Sequence, residues 1–214
     1  MNIIDLTHPI HGGMPVYPGS SGPSIRRVAT LARDGFAEKR VTLSTHTGTH
    51  VDAPAHMISG AATLDAWPME RFAGPALVIR PENHGGVIDL KSLKPLEKEI
   101  SCSEFLLFNT GWSRFWGSPS YDQGYPVLST EAAVWICGFR LKGVGFDTLS
   151  ADRVDTIEYP VHHTLLSRNI MIIENLANLE AISEKRIFFC CFPLSFKESD
   201  GSPVRAAGFF DPPG

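Results

Sequence analysis

Three histidines and an aspartate lie within eleven residues of a chain that has only eight histidines. They are His46, His50, Asp52 and His56, and no cysteine lies among them. Imidazole nitrogens and carboxylate oxygens are the ligands that divalent ions such as Zn²⁺, Mn²⁺ and Fe²⁺ accept in proteins. The segment from His46 to His56 therefore predicts a metal site.

The backbone around Pro54 is predicted to be extended. Proline lacks an amide hydrogen and disfavours a helical conformation at the residue before it, so residues 51–54 favour a strand. Side chains two residues apart lie on the same face of a strand. His50 and Asp52 are therefore expected to point in the same direction.

Gly48 allows the chain to bend between the first two histidines. Glycine adopts backbone angles that are closed to other residues, and a bend here would carry His46 towards His50 and Asp52. His56 lies beyond the strand, where its spacing leaves it open as a fourth ligand or as a free base. The competing interpretation is that these are ordinary loop histidines bonded to backbone carbonyl groups.

The length and composition of the chain indicate one globular domain. Its 214 residues are 43% hydrophobic and 20% charged, which suits a single core. We therefore expect one domain over residues 1–214. The net charge of −4 and the pI near 6.0 leave no basic surface for a phosphate backbone, so nucleic acid is not an expected partner.

The chain carries no sequence signal for a membrane. No segment approaches the roughly eighteen apolar residues that span a bilayer, and the first residues do not resemble a secretory leader. The cysteines are Cys102, Cys137, Cys190 and Cys191, without a Cys-x-x-Cys spacing. This pattern predicts buried free thiols in a reducing compartment, and hence a cytoplasmic protein.

Short apolar and β-branched runs predict most of the strands. The predicted strands cover residues 2–6, 24–30, 37–45, 76–80, 104–109, 144–146, 170–173 and 186–192. In residues 37–45 apolar and polar side chains alternate, which predicts that one face of this strand is buried. The unbroken apolar run in residues 104–109 instead predicts burial on both faces.

Two helices are predicted between these strands. One follows Ser129, a favourable N-cap, and covers residues 130–141, and the other covers residues 159–168. The first helix, with the strand before it and strand 144–146 after it, forms a β-α-β pattern that favours two neighbouring parallel strands. Many strands with few helices predict an α/β fold with a mixed sheet. Residues 113–128 hold aromatic side chains that we expect on the surface, as a loop or a subunit contact.

A second pair of potential ligands lies far from the first cluster in sequence. His162 is in the second predicted helix, and Glu174 ends an apolar strand. A carboxylate at the end of a buried strand needs a partner, which could be a structural salt bridge or a helix terminus. Together with the first cluster, the pair could instead complete a second metal position that shares Asp52, because the two oxygens of a carboxylate can bridge ions about 3.5 to 4 Å apart.

The first cluster resembles the signature of the cyclase family of metal-dependent hydrolases, H-x-G-T-H-x-D-x-P-x-H. Every fixed position of that signature is matched between His46 and His56. His162 precedes Glu174 by twelve residues, as in the family. Three other segments are also similar: Pro15–Gly19, Gly145–Asp152, which fits G-x-D-x-x-S-x-D, and Gly201–Ala206. The resemblance therefore covers nearly the whole chain.

The resemblance implies a role for each matching residue. Five residues would hold two metals, with one carboxylate shared: His46, His50 and Asp52 for one metal, and Asp52, His162 and Glu174 for the other. His56 would be the proton donor and acceptor. Tyr17 stands where the formamidases of this family have a tryptophan that contacts the aromatic substrate. Tyr17 and Phe36 are the substrate contacts that we expect.

The resemblance also implies a fold, a cofactor and an assembly. The family fold is a compact α/β domain of the swivelling β/β/α type, found in dimers or tetramers. The expected cofactor is zinc, as one or two ions, with manganese as the alternative. We therefore expect a homodimer or homotetramer that binds a small, aromatic substrate and no membrane.

The implied activity is metal-assisted hydrolysis of a small carbon–nitrogen amide. The formamidases of the family convert N-formylkynurenine to kynurenine and formate. An isatin hydrolase, or another hydrolase of a cyclic amide or lactone, would use the same ligands. A non-enzymatic metal-binding protein is a further alternative, but it would favour a closed set of ligands, whereas three protein ligands per metal leave room for water.

Overall fold

Strands form most of the framework on which the predicted ligands lie. The structure is a computed structural model that describes residues 1–81 and 86–210, so the rest of the predicted domain 1–214 lies outside the described residues. The strands within these ranges are β1 (Asn2–Asp5), β2 (Ser24–Ala29), β3 (Glu38–Thr42), β4 (His50–Asp52), β5 (Ala73–Ile79), β6 (Val87–Ile88), β7 (Phe105–Phe108), β8 (Val127–Leu128), β9 (Gly143–Phe146), β10 (Met171–Glu174), β11 (Arg186–Pro193) and β12 (Gly201–Phe210). The α-helices are α1 (Leu31–Asp34), α2 (Leu90–Leu93), α3 (Glu97–Ser101), α4 (Thr130–Ile136) and α5 (Pro160–Leu166).

The main sheet is mixed and closes on itself. Its strand order is β1-β12-β11-β5-β7-β9-β10-β4, and β12 also pairs with β4. Strands β5, β7, β9 and β10 are parallel neighbours, whereas the other pairs are antiparallel. The predicted α/β fold with a mixed sheet is therefore confirmed. No α-helix in the described ranges is long and apolar enough to cross a membrane.

The predicted β-α-β unit is present. Strands β7 and β9 are parallel and paired, with Phe105 opposite Gly143. Helix α4 begins after Ser129, whose side chain accepts a hydrogen bond from the backbone of Ala132. The prediction that this helix continues to residue 141 is wrong, because it ends at Ile136. The amide of Gly138, a poor helix former, bonds to the residue three positions earlier and tightens the last turn.

Two apolar cores lie on either side of the parallel strands. The first fills the inside of the closed sheet and includes Phe105 and Leu107. The second lies between the outer face of the sheet and the helices, and includes Leu106 and Phe108. The four side chains of β7 are all fully buried, so the predicted burial of this strand on both faces is confirmed.

The hairpin of β2 and β3 differs from its prediction. The two strands pair only with each other, as a separate two-stranded sheet. All five residues of β3 are exposed, and Val41 remains 51% exposed. The predicted buried face is wrong because no other layer formed by the described residues covers the hairpin.

The aromatic segment 113–128 is less exposed than predicted. Tyr121 and Tyr125 are 1% and 3% exposed, and they form a small cluster with Val127 and Leu149. The two tyrosines of this segment therefore pack against their own chain, so the predicted surface position is wrong for them.

The prediction of buried cysteines holds for two of the four. Cys190 and Cys191 are buried as predicted, whereas Cys102 is exposed and Cys137 is half-buried.

Candidate metal centre

The segment from His46 to His56 folds around two turns. Gly48 has a φ of 65°, so the predicted bend is confirmed, and a Cβ atom there would lie 2.9 Å from Met14 Cε. Strand β4 follows, and a 3-10 turn over Pro54–His56 redirects the chain. The ring of His46 consequently lies 5.2 Å from the ring of His50 and 3.9 Å from that of His56, between centroids.

Strand pairing brings the distant residues to this segment. His50 lies opposite Glu174 in the antiparallel pair of β4 and β10, so the two side chains share a face. Asp52 lies opposite Gly201 of β12, on the other edge of β4. His162 lies on helix α5, which packs against β10. The closed sheet thus gathers residues that are far apart in sequence.

The five predicted ligands form two overlapping groups, and the ligand atoms of each group lie within 4.8 Å of one another. His46 Nδ1 lies 2.7 Å from Asp52 Oδ1, and His50 Nε2 lies 3.3 Å from the same oxygen. His162 Nε2 lies 3.2 Å from Glu174 Oε1 and 3.8 Å from Asp52 Oδ2. Asp52 therefore stands between the two groups.

The burial and hydrogen bonding of Asp52 fit a bound cation. Its side chain is 1% exposed, and its Oδ2 atom is buried without a hydrogen-bond partner among the described residues. A buried carboxylate oxygen without a donor is costly unless a cation lies beside it. Imidazole and carboxylate together form a donor set that Zn²⁺ and Mn²⁺ accept. The residues present therefore fit the implied metal.

Acceptors behind two of the histidines fix the orientation of their rings. His50 Nδ1 donates to the carbonyl oxygen of Gly48 at 2.7 Å, and His162 Nδ1 donates to Asp152 Oδ2 at 2.7 Å. The carboxylate of Asp152 also accepts hydrogen bonds from the backbone amides of Val161 and His162, at the start of α5. Each ring therefore presents its Nε2 atom to the cluster, as a metal-binding histidine does when its other nitrogen is held.

Asp200 also belongs to the cluster, although its sequence context does not predict a ligand there. His46 Nε2 donates to Asp200 Oδ2 at 3.0 Å, and the same oxygen lies 3.8 Å from His56 Nδ1. These three residues form a further group of potential ligands. Asp200 lies 154 positions after His46, in a turn-like stretch. The one signal in the sequence was its position directly before Gly201, where the last family-like segment begins.

The carboxylates raise the pKa values of the inner histidines. Burial opposes a charged His46, but Asp52 and Asp200 outweigh it and raise the pKa of His46 to about 9. Burial also opposes a charged His162, but its hydrogen bond to Asp152 leads the effects that raise its pKa to about 10. The cluster therefore attracts positive charge, which protons on these histidines supply when no metal ion is bound.

His56 differs from the inner histidines. Its side chain is 26% exposed, and its ring centroid lies 6.2 Å from that of His162. Burial lowers the pKa of His56, and the nearby histidines His46 and His162 add to this effect against the opposing charge of Asp52. A neutral imidazole at the edge of the cluster can accept a proton and return it.

A cavity of about 380 Å³ opens beside the cluster. His56, His162 and Glu174 form part of its wall, together with aromatic and apolar side chains that include Tyr17, Met57, Leu149 and Tyr159. The structure thus brings Tyr17 to the cluster. It does not bring Phe36 there, because this residue lies between α1 and β3, is 54% exposed and is not part of the cavity wall.

Known proteins are similar to this chain in sequence. The Cyclase family model matches residues 4–153. A kynurenine formamidase from Bacillus cytotoxicus is 29% identical over 205 residues, which are 95% of this chain and 95% of that protein. A second relative, the kynurenine formamidase from Geobacillus thermodenitrificans, is 28% identical over the same shares of both chains.

Solved structures of hydrolases are similar to this chain in fold over nearly its whole length. Isatin hydrolase A from Ralstonia solanacearum superposes with a TM-score of 0.87 at 25% identity, over 97% of this chain and 91% of that one. A "predicted metal-dependent hydrolase" from Bacillus stearothermophilus gives a TM-score of 0.81 at 30% identity, over 97% of both chains. Because the family model spans more than half of the chain and these relatives cover nearly all of it, this chain belongs to the Cyclase family.

Proposed function

We propose that the protein is a metal-dependent hydrolase of aryl formamides, which converts N-formylkynurenine to kynurenine and formate. The observation that carries the proposal is the buried Asp52 Oδ2, which has no hydrogen-bond partner in the described part of the chain and lies among histidines and carboxylates. A cavity with aromatic walls adjoins this cluster. The similarity to kynurenine formamidases over 95% of the chain supports the choice of substrate.

The proposed metal ligands are the five residues of the two overlapping groups: His46, His50, Asp52, His162 and Glu174. Zinc is the proposed cofactor, as one or two ions, with manganese as the alternative. Asp152 and Asp200 would hold the rings of His162 and His46 in a binding orientation, since each accepts a hydrogen bond from the outward nitrogen.

His56 is the proposed acid and base. A bound metal would supply a water of lowered pKa and polarise the formyl carbonyl group. His56 lies at the cavity wall and accepts a proton from the attacking water. A bond forms between the water oxygen and the formyl carbon, the carbon–nitrogen bond then breaks, and His56 returns the proton to the departing amine. Formate and the arylamine are released, and His56 ends in its starting state.

Hydrolysis of isatin, a cyclic amide, is the second candidate. The high structural similarity to isatin hydrolase A, with a TM-score of 0.87, favours it. The same ligands and the same proton transfer by His56 would serve either substrate. A protein that only binds metal is the weaker alternative, because a cavity adjoins the ligands.

A panel of substrates tests the proposal. Zinc-loaded wild-type protein is expected to hydrolyse N-formylkynurenine with a kcat/KM well above its value for isatin, and the opposite order would favour the second candidate. The His56→Ala variant is expected to keep its metal but lose most turnover, whereas Asp52→Ala should lose metal as well. Normal turnover in His56→Ala would remove that residue from the mechanism.

The setting proposed for this enzyme is the cytoplasm, and its assembly a homodimer or homotetramer. The four free thiols suit a reducing compartment. The exposed β2–β3 hairpin, with Leu31, Phe36 and Val41 each more than half exposed, supports an assembly that covers it. Sedimentation velocity measures the number of subunits.

A further inference from the structure

Asn175 joins the end of β10 to the bend that precedes β4. It follows Glu174 directly, and its φ of 56° lies in the left-handed region, which asparagine tolerates. Its Nδ2 atom donates a hydrogen bond to the carbonyl oxygen of Gly48 at 3.0 Å, and its backbone carbonyl accepts one from the hydroxyl group of Thr49 at 2.6 Å. One buried residue therefore holds both Gly48 and Thr49.

The carbonyl oxygen of Gly48 is also the acceptor that holds the ring of His50. His50 Nδ1 donates to it at 2.7 Å, and a backbone carbonyl oxygen has two lone pairs, so it can accept from Asn175 and His50 together. The other ring nitrogen, His50 Nε2, lies 3.3 Å from Asp52 Oδ1 and 3.5 Å from Glu174 Oε2. Asn175 therefore acts on a proposed metal ligand through an acceptor that the two residues share.

Tyr121 fixes the orientation of the Asn175 amide. Its hydroxyl group donates a hydrogen bond to Asn175 Oδ1 at 2.9 Å, which leaves Nδ2 facing Gly48. An amide rotated by half a turn would place its oxygen against the Gly48 carbonyl oxygen, and two buried acceptors facing each other are costly. Both side chains are buried, so a continuous hydrogen-bonded chain runs from the aromatic segment 113–128 to His50.

We propose that Asn175, held by Tyr121, is a positioning residue for His50. It fixes the carbonyl group of Gly48 and thereby the orientation in which His50 presents Nε2 to the metal. This inference rests on the metal site of the proposed function and does not depend on the choice of substrate. Loss of a partner that holds a metal-binding histidine costs about 10- to 100-fold in metal affinity. Asn175 lies one hydrogen bond further out, so its effect belongs at the lower end of that range.

The Asn175→Gly variant tests this role by zinc binding. Glycine adopts the same positive φ and keeps the backbone bonds of Asn175 to Thr148 and Thr49, so only the amide side chain is lost. We expect zinc affinity to fall about tenfold in competition with a chromophoric chelator. Tyr121→Phe should cause a smaller loss, because the Asn175 amide remains in place without its partner. An unchanged affinity in Asn175→Gly would overturn the proposal.

Asn178→Gly is the matched control. Asn178 also has a positive φ, of 55°, and its Nδ2 atom also donates to a backbone carbonyl oxygen, that of Asp5, at 2.8 Å. The substitution therefore removes the same kind of bond three residues further along the chain, away from the Gly48 carbonyl. We expect Asn178→Gly to bind zinc normally. A loss of affinity there equal to that in Asn175→Gly would contradict a specific role for Asn175.

The ring protons of two histidines separate positioning from a general loss of structure. In zinc-loaded protein labelled with ¹⁵N-histidine, the Nδ1–H signals of His50 and His162 report their bonds to Gly48 and to Asp152. Each signal is assigned by its absence when that histidine is replaced by glutamine. Asn175→Gly is expected to shift the His50 signal and to speed its exchange with water, and to leave the His162 signal unchanged. Equal changes in both signals, or a change in neither, would overturn the proposal.

Hydrolysis assays on the same samples separate this inference from the proposed function. Wild-type protein that binds zinc without hydrolysing N-formylkynurenine would contradict the proposed function, and the zinc affinities and ring signals would still decide the role of Asn175. Active wild-type protein, together with an Asn175→Gly variant of unchanged zinc affinity, would overturn this inference alone.

Discussion

Single side chains around Asp52 are arranged in two layers. One ring nitrogen of each of His46, His50 and His162 faces a carboxylate of Asp52 or Glu174. The other ring nitrogen donates a hydrogen bond to a carboxylate or to a backbone carbonyl group. This second layer decides which nitrogen each ring can offer to a metal. Asp152 and Asp200 are therefore as much part of the candidate site as the proposed ligands whose rings they hold.

The Asp200→Asn variant tests the outer layer at His46. The amide is a weaker acceptor than the carboxylate, so the ring of His46 should be held less firmly. We expect zinc affinity to fall about 10- to 100-fold, as for other second-layer partners of metal ligands. Competition with a chromophoric chelator measures the affinity. Asp155→Asn, at an exposed residue whose side chain pairs with Arg153, is the matched control and should bind zinc normally. An unchanged affinity in Asp200→Asn would show that Asp200 does not position His46.

His8 offers a separate test at the scale of one residue. Its buried ring stacks on Trp116 at 4.0 Å, and its Nε2 atom has no hydrogen-bond partner among the described residues. Burial lowers the pKa of His8 from 6.5 to about 4. Between these values the unfolded chain binds a proton that the folded protein does not, so His8 costs stability as the pH falls from 6.5 to 4.

The His8→Phe variant should therefore be more stable than wild type. Phenylalanine keeps the stack on Trp116 and leaves no buried nitrogen unbonded. We expect a gain of about 1 kcal/mol at pH 7, and about 2 kcal/mol more at pH 4 after allowance for solvent screening. Urea unfolding of the metal-free proteins across this pH range measures the difference. A difference that does not grow towards pH 4 would contradict the assignment of a neutral His8.

Strand β12 forms one wall of the proposed metal centre through its first residue, Gly201. A Cβ atom at Gly201 would lie 2.5 Å from Cε1 and 2.8 Å from Nε2 of His46. His46 is held by Asp52 and Asp200, so its ring has little freedom to move away. The strand therefore needs glycine at its first position for the His46 ring to lie against it.

The Gly201→Ala variant should displace His46 and leave most of the fold intact. We expect at least a tenfold loss of zinc affinity, since mutation of residues that only orient a metal ligand already costs about 10- to 100-fold, with a small change in Tm. Gly12→Ala is the matched control, because a Cβ atom there meets nothing closer than 3.7 Å. Normal zinc binding in Gly201→Ala would show that the ring does not depend on this close approach.

Local sequence predicted the interior strands better than the last one. All eight strands expected from apolar runs are present, with ends shifted by a few residues. Strand β12 escaped prediction because Gly201, Pro203 and Gly208 weaken the usual strand signal. Its small residues serve packing instead, since a Cβ atom at Gly208 would lie 2.9 Å from Ile187. The alternation in β3 correctly suggested a strand, but it could not reveal whether another layer covers it.

At the scale of the whole molecule, closure of the sheet creates the site. The β4–β12 pairing brings Asp200 beside His46, and the β4–β10 pairing brings Glu174 beside His50. The side-chain chemistry of the five proposed ligands made them recognisable in the sequence. Asp200 was not recognisable, because its contact with His46 depends on strand pairing that arises only in the folded chain.

A zinc titration of metal-free protein shows whether hydrolysis depends on the metal. Bound zinc and the rate of N-formylkynurenine hydrolysis would be measured in the same samples. We predict that the chelated protein is inactive and that the rate rises in proportion to bound zinc, up to a plateau at one or two ions per chain. Full activity in the chelated protein, or bound zinc without any hydrolysis, would rule out zinc-dependent hydrolysis of N-formylkynurenine.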